Sequence, residues 1–114
     1  MHWQILFYKD AQGKEPVKDF ILKQGSSAKA EIIHVFDLLH RFGLNLSNPY
    51  VSHVKGKIWE LRIKHSSDYF RIFYFVYTGN KFILVHAIRK KQVKLSKRDI
   101  ELAECRMRKH LADL

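Results

Sequence analysis

The chain has 114 residues, 46% hydrophobic and 13% aromatic, with 21 Lys and Arg against 11 Asp and Glu for a net charge of +10. That size predicts one domain over residues 1–114 with a single modest core, and the composition excludes a disordered chain; no apolar run is long enough for a membrane span or a secretion signal. The lone Cys105 cannot close an internal disulfide, which predicts a reducing, cytoplasmic setting, and the scattered histidines lack ligand spacing, so neither a metal nor another cofactor is expected.

Residues 1–53 hold 6 basic and 5 acidic residues, whereas residues 54–114 hold 15 basic and 6 acidic ones. A basic half interleaved with aromatic side chains is the footprint of a surface that meets nucleic acid, because it draws polyanions and gives their bases flat partners.

Taken in order, Trp3 to Tyr8 is apolar enough for a strand buried on both faces, and Asp10 to Gly13 turns the chain. Pro16 opens a helix with Val17, Phe20 and Ile21 on one face. Ser26 or Ser27 then caps a longer helix in which Ala28, Ile32, Val35, Phe36 and Leu39 recur at helical spacing until Gly43. Asn45 to Tyr50 reads as a loop broken by Pro49, and Val51 to Lys57 as a basic approach to the sheet.

The central stretch, Ile58 to Lys91, reads as three strands. Trp59, Leu61 and Ile63 alternate with Glu60, Arg62 and Lys64, the period of a half-buried strand. A turn within His65 to Asp68 pairs Trp59 with Tyr74, Leu61 with Ile72 and Ile63 with Phe70. A two-residue Gly79-Asn80 turn then sets Tyr77 against Phe82 and Tyr74 against Val85. The second face follows as three rows: Glu60/Phe73/His86, Arg62/Arg71/Ile88 and Lys64/Tyr69/Lys90. Two arginines opposite one another destabilise a sheet, so an anionic ligand is expected there. Past the strands, Arg89 to Arg98 carries six cations and no acid. Ser96 with Asp99 starts a last helix running beyond His110, with Ile100, Ala103, Met107 and Leu111 on its apolar side. The whole is an α+β domain: a small antiparallel sheet of an N-terminal strand plus a three-strand meander, packed on an N-terminal helical hairpin, with a C-terminal helix.

In that order of elements the chain resembles the RelE/ParE toxin superfamily, and within it the phage-derived HigB-like branch. The likeness rests on Phe7-Tyr8, Gly13 to Phe20, Trp59-Glu60-Leu61-Arg62, Tyr69-Phe70-Arg71-Ile72 with Tyr74, and His86 to Lys91. Ile88 stands where the family often has phenylalanine, Gln92 where threonine is common and Ser96 where proline usually opens the helix. The resemblance implies a RelE-like fold and the toxin of a type II toxin–antitoxin pair, an endoribonuclease that cleaves mRNA, in many relatives on the translating ribosome. It also implies a cognate antitoxin, often a HigA-like helix-turn-helix protein.

Metal-free RNA cleavage by the 2′-hydroxyl needs a base, a stabiliser of phosphorane charge and an acid. Arg62 and Arg71 are the stabilisers, since guanidinium stays protonated and presents a planar donor fork. Glu60 and His86 are the base candidates, and Lys90 the acid or an added cation. Lys57, Lys64, Lys91 and Lys94 are expected along the RNA path, with Tyr69 and Phe73 as stacking partners. The alternatives are a ParE-like DNA gyrase inhibitor and a non-catalytic basic RNA-binding module.

Overall fold

The computed structural model describes residues 3–91 and 94–113; Gln92 and Val93, inside the basic segment, lie outside the described residues. The elements run β1 (Gln4–Phe7), α1 (Pro16–Leu22), α2 (Ser26–Phe42), a 3-10 turn (Gly43–Asn45), β2 (Val51–Lys55), β3 (Ile58–His65), β4 (Asp68–Tyr77), β5 (Lys81–Lys90) and α3 (Lys97–Ala112). Among the described residues no helix is long and apolar enough to cross a membrane.

The α+β class holds, with two changes to the sheet. Its strand order is β1-β5-β4-β3-β2, so Val51–Lys55 is a fifth strand and not merely an approach to the sheet. Its alternation is too short to stand out, and it is recruited by antiparallel pairing with β3, Val51 opposite Leu61. β1 pairs with β5 in parallel, a pairing that the long connection through the two helices and the other strands permits. Nor is β1 buried on both faces: Gln4 and Leu6 are exposed at the sheet edge, while Ile5 and Phe7 turn inward.

The β3–β4 hairpin closes through Ser66-Ser67 with His65 opposite Asp68, and its register is the expected one throughout. The β4–β5 register is as expected only in its second half. Three residues, Thr78 to Asn80, close that turn, with Tyr77 opposite Lys81 rather than Phe82, and Tyr74 meets Leu84 rather than Val85. Thr78 and Gly79 both take positive φ to make the loop. A bulge between Phe73 and Tyr74 then absorbs the one-residue difference, so that Phe73 again faces His86 and Arg71 faces Ile88. The extra residue changes the alternation of β5: Val85 and His86 both serve the face that carries Phe73, while Leu84 and Ala87 serve the other.

Each sheet face is covered. α1 and α2 lay Val17, Ile21, Ile32, Val35 and Leu39 on Leu61, Ile63, Phe70, Ile72 and Leu84. A fully buried leucine such as Leu39 contributes roughly 1.5–3 kcal/mol. The second face was expected to be open and polar. Instead α3 packs Ala103 and Met107 on Ile58, Phe73, Phe75, Ile83 and Val85, a second small core that covers the turn end of that face. At the head of α2 the N-cap is Gly25, and Ser26 is already helical. At its foot Gly43 takes φ +53°, and the Trp3 ring lies where any Cβ would stand. At α3 the expected cap forms: Asp99 N–H donates to Ser96 Oγ over 3.1 Å.

Candidate functional site

Strand alternation and register put Glu60 and Arg62 of β3, Arg71 of β4, and His86 and Lys90 of β5 on one face, beyond the part that α3 covers. Arg62 lies directly opposite Arg71. Glu60 and His86 flank Phe73 in the adjoining row, so they stand on opposite sides of the central strand, two inter-strand spacings or roughly 10 Å apart at the backbone.

The two guanidiniums are not equivalent. Arg71 is 2% exposed and Glu60 3%, whereas the Arg62 side chain retains 27%; the exposed pair expected from sequence is therefore one open arginine above a buried one. Between them stands a single carboxylate. Glu60 Oε1 is 3.8 Å from Arg62 Nε and Glu60 Oε2 is 3.9 Å from Arg71 Nε. These are ion-pair distances beyond hydrogen-bond reach. Among the described residues Arg62 Nε, Arg71 Nε, Arg71 Nη1 and Glu60 Oε2 are shielded from solvent without a hydrogen bond. One negative charge against two positive ones leaves the trio with a positive balance when Glu60 is ionised. Burial raises the Glu60 pKa, and the attraction of Arg71 and Arg62 offsets that only in part.

On the other flank His86 stacks on Phe73, ring centroids 5.5 Å apart and 14° from parallel. Its Nε2 lies 2.9 Å from Asp99 Oδ1. Burial lowers the His86 pKa, with Arg106 and Lys90 acting in the same direction and the Asp99 hydrogen bond opposing them. Asp99 also accepts from Lys90 Nζ at 3.0 Å and from Ser96 Oγ at 2.6 Å. Burial acts to raise the Asp99 pKa, but hydrogen bonds from Ser96, His86 and Lys90 hold it down at about 2. The sequence marked Asp99 only as a helix-start residue. Its reach to His86 depends on where α3 docks, which no local pattern records.

Beside Arg62 a cleft of about 240 Å³ is lined by Pro49, Tyr50, Arg62, Lys64 and Tyr69. The Arg62 guanidinium stands 5.8 Å from the Tyr69 ring centroid. Tyr50 was read only as a loop residue; it arrives because its carbonyl accepts from Arg62 N–H at 2.8 Å, which ties the loop before β2 to β3.

The remaining candidates divide. Lys64, Tyr69 and Lys90 form the third row, as expected. Phe73 is fully buried, so it supports His86 and presents no face to a base, contrary to its assignment as a stacking partner. Lys91 acts electrostatically on Asp68. Asp68 bonds Arg89, which reaches Gln24 of the helix layer. Lys57 is exposed in the β2–β3 turn, at the opposite end of β3 from Lys64. Lys94 is exposed ahead of α3.

The chemistry available is that of an oxyanion-binding face with a carboxylate whose pKa is raised and an imidazole whose pKa is lowered on its two sides. No curated protein matches the chain. A family model described as phage derived protein Gp49-like matches residues 19–108, from within α1 to within α3 and including every charged residue of this face. With that span matched, the chain belongs to the Gp49-like family of phage-derived proteins, a RelE/toxin-like family.

Proposed function

We propose that this protein is the toxin of a type II toxin–antitoxin pair, a HigB-like endoribonuclease that cuts mRNA in the cytoplasm, on the translating ribosome, and is held in check by a cognate helix-turn-helix antitoxin. The observation that carries the reading is Arg62 opposite Arg71, with Glu60 within 4 Å of both Nε atoms and His86 on the far side of the central strand.

In-line displacement at phosphorus places the attacking 2′-oxygen and the leaving 5′-oxygen at opposite apices, so base and acid must act from opposite sides. The position of Glu60 and His86 on opposite sides of the central strand supports that division of roles. Glu60 takes the proton of the 2′-hydroxyl, the oxygen attacks phosphorus to give a 2′,3′-cyclic phosphate, and the P–O5′ bond breaks. His86 delivers a proton to the departing 5′-oxygen. Arg62, the open guanidinium, holds the non-bridging oxygens, where its donors strengthen as charge accumulates, and the buried Arg71 behind Glu60 adds its positive field. The pKa displacements suit these roles, since a raised carboxylate is the better base and a lowered imidazolium the better acid. Lys64, Tyr69 and Lys90 carry the adjoining nucleotide.

The test is primer-extension mapping of transcripts after brief induction, with and without translation blocked, in wild type and Arg62→Ala. New 5′ ends that need both translation and Arg62 support the reading. Growth arrest without cleavage, accompanied by loss of DNA supercoiling, would assign the protein to gyrase instead; salt-sensitive RNA binding without turnover would leave a binding module.

A further inference from the structure

Asp99 has four polar contacts and two of them do nothing for the helix it starts. Its backbone N–H and its Oδ2 close the cap with Ser96. Oδ1, however, receives His86 Nε2 at 2.9 Å, and Oδ2 also receives Lys90 Nζ at 3.0 Å. A carboxylate only accepts, so the proton of a neutral His86 must sit on Nε2, leaving Nδ1 as the nitrogen that can exchange protons with anything bound over the site. A half-turn of the ring about Cβ–Cγ would keep it flat on Phe73 but put Cε1 where Nε2 now meets Asp99, so the contact with Asp99 and not the stacking selects this orientation.

We propose that Asp99 is a positioning residue that fixes Nδ1 as the proton-exchanging nitrogen of His86 and holds Lys90 beside it. The catalytic part of this rests on the nuclease reading above. Donation from Nδ1–H to a leaving oxygen produces the Nε2–H tautomer, the one Asp99 already stabilises, so the product side of the transfer is prepared in advance. Arg106 and Lys90 are the other charged groups acting on His86, and both are cations, leaving Asp99 as the acceptor that orients it.

Asp99→Asn separates this from a capping role. Lys90 Nζ and Ser96 Oγ both donate toward Oδ2, so the substituted side chain places its carbonyl oxygen there and turns its NH₂ toward His86. His86 must then accept at Nε2 and carry its proton on Nδ1. Ser96→Ala removes the hydroxyl of the cap and leaves the His86 and Lys90 contacts in place.

The experiment is long-range ¹H–¹⁵N correlation of histidine-labelled protein above pH 6.5, with His86→Gln identifying the His86 signals, followed by single-turnover cleavage and RNA binding. Expected are an Nε2–H tautomer in wild type and in Ser96→Ala, and an Nδ1–H tautomer in Asp99→Asn. With the switch, cleavage should fall by roughly 10²–10⁴-fold, the range for a lost general acid or base, at unchanged RNA affinity. An Nδ1–H tautomer in wild type overturns the proposal without any variant. So does an unswitched tautomer in folded Asp99→Asn, or a switched one that leaves cleavage unchanged. A switch of tautomer in a protein whose wild type cuts no RNA supports the positioning by Asp99 and removes the nuclease reading.

Discussion

Arg71 Nε lies 3.9 Å from Glu60 Oε2, with both side chains almost wholly out of solvent. Each is the other's charge compensation in a place where water cannot replace it, which makes the pair structural as well as chemical.

The two arginines should therefore behave differently when removed. Arg71→Ala leaves a buried carboxylate short of its closest buried cation and should cost about 3–5 kcal/mol, read as a lower urea midpoint at unchanged slope. Arg62→Ala, at the open end of the trio, should cost at most about 1 kcal/mol yet abolish mRNA cleavage. Equal losses of stability in the two variants would contradict the asymmetric burial.

Cleavage should also follow pH in a bell. Glu60 must be ionised to take a proton, so kcat/KM rises as pH passes its raised pKa, above 4.5. His86 must be protonated to give one, so kcat/KM falls as pH passes its lowered pKa, below 6.5. The optimum then lies on the acid side of 6.5. A rate that climbs steadily through neutrality would exclude His86 as the acid.

The cleft beside Arg62 should carry binding more than turnover. Tyr69→Ala and Tyr50→Ala are each expected to weaken short single-stranded RNA by about 1–3 kcal/mol, the value of one base–aromatic contact, with Tyr69→Phe close to wild type. Fluorescence anisotropy at fixed salt measures this; an unchanged affinity in Tyr50→Ala would remove the loop before β2 from the RNA path.

Gly43 is tied to Trp3. A Cβ there would fall on the Trp3 indole, and φ is +53°. Gly43→Ala should cost about 1–3 kcal/mol from overpacking alone, with the strain of the positive φ added. Gly56→Ala, whose Cβ would meet nothing within 4 Å, has only its φ of +55° to resist it and serves as the control in thermal unfolding.

What the sequence determined by itself is the alternation that sets Arg62 opposite Arg71 and Glu60 opposite Phe73, because a tight turn at Ser66-Ser67 ties pairing to chain position one residue at a time. Leu111, expected on the apolar face of α3, is exposed, but the periodicity of α1, α2 and the first part of α3 was legible for the same reason, since each helix writes its buried face at fixed spacing. The bulge beside Val85 was not, since a bulge changes pairing and leaves composition alone. It corrects a turn one residue longer than expected, so the distal rows came out right from a near turn that did not. Burial of Arg71 and Phe73, the loop that brings Tyr50 to Arg62, and the reach of Asp99 to His86 were decided only by tertiary packing. Each depends on how a distant segment docks on the sheet, and docking follows the summed fit of two surfaces, which no single stretch of chain encodes.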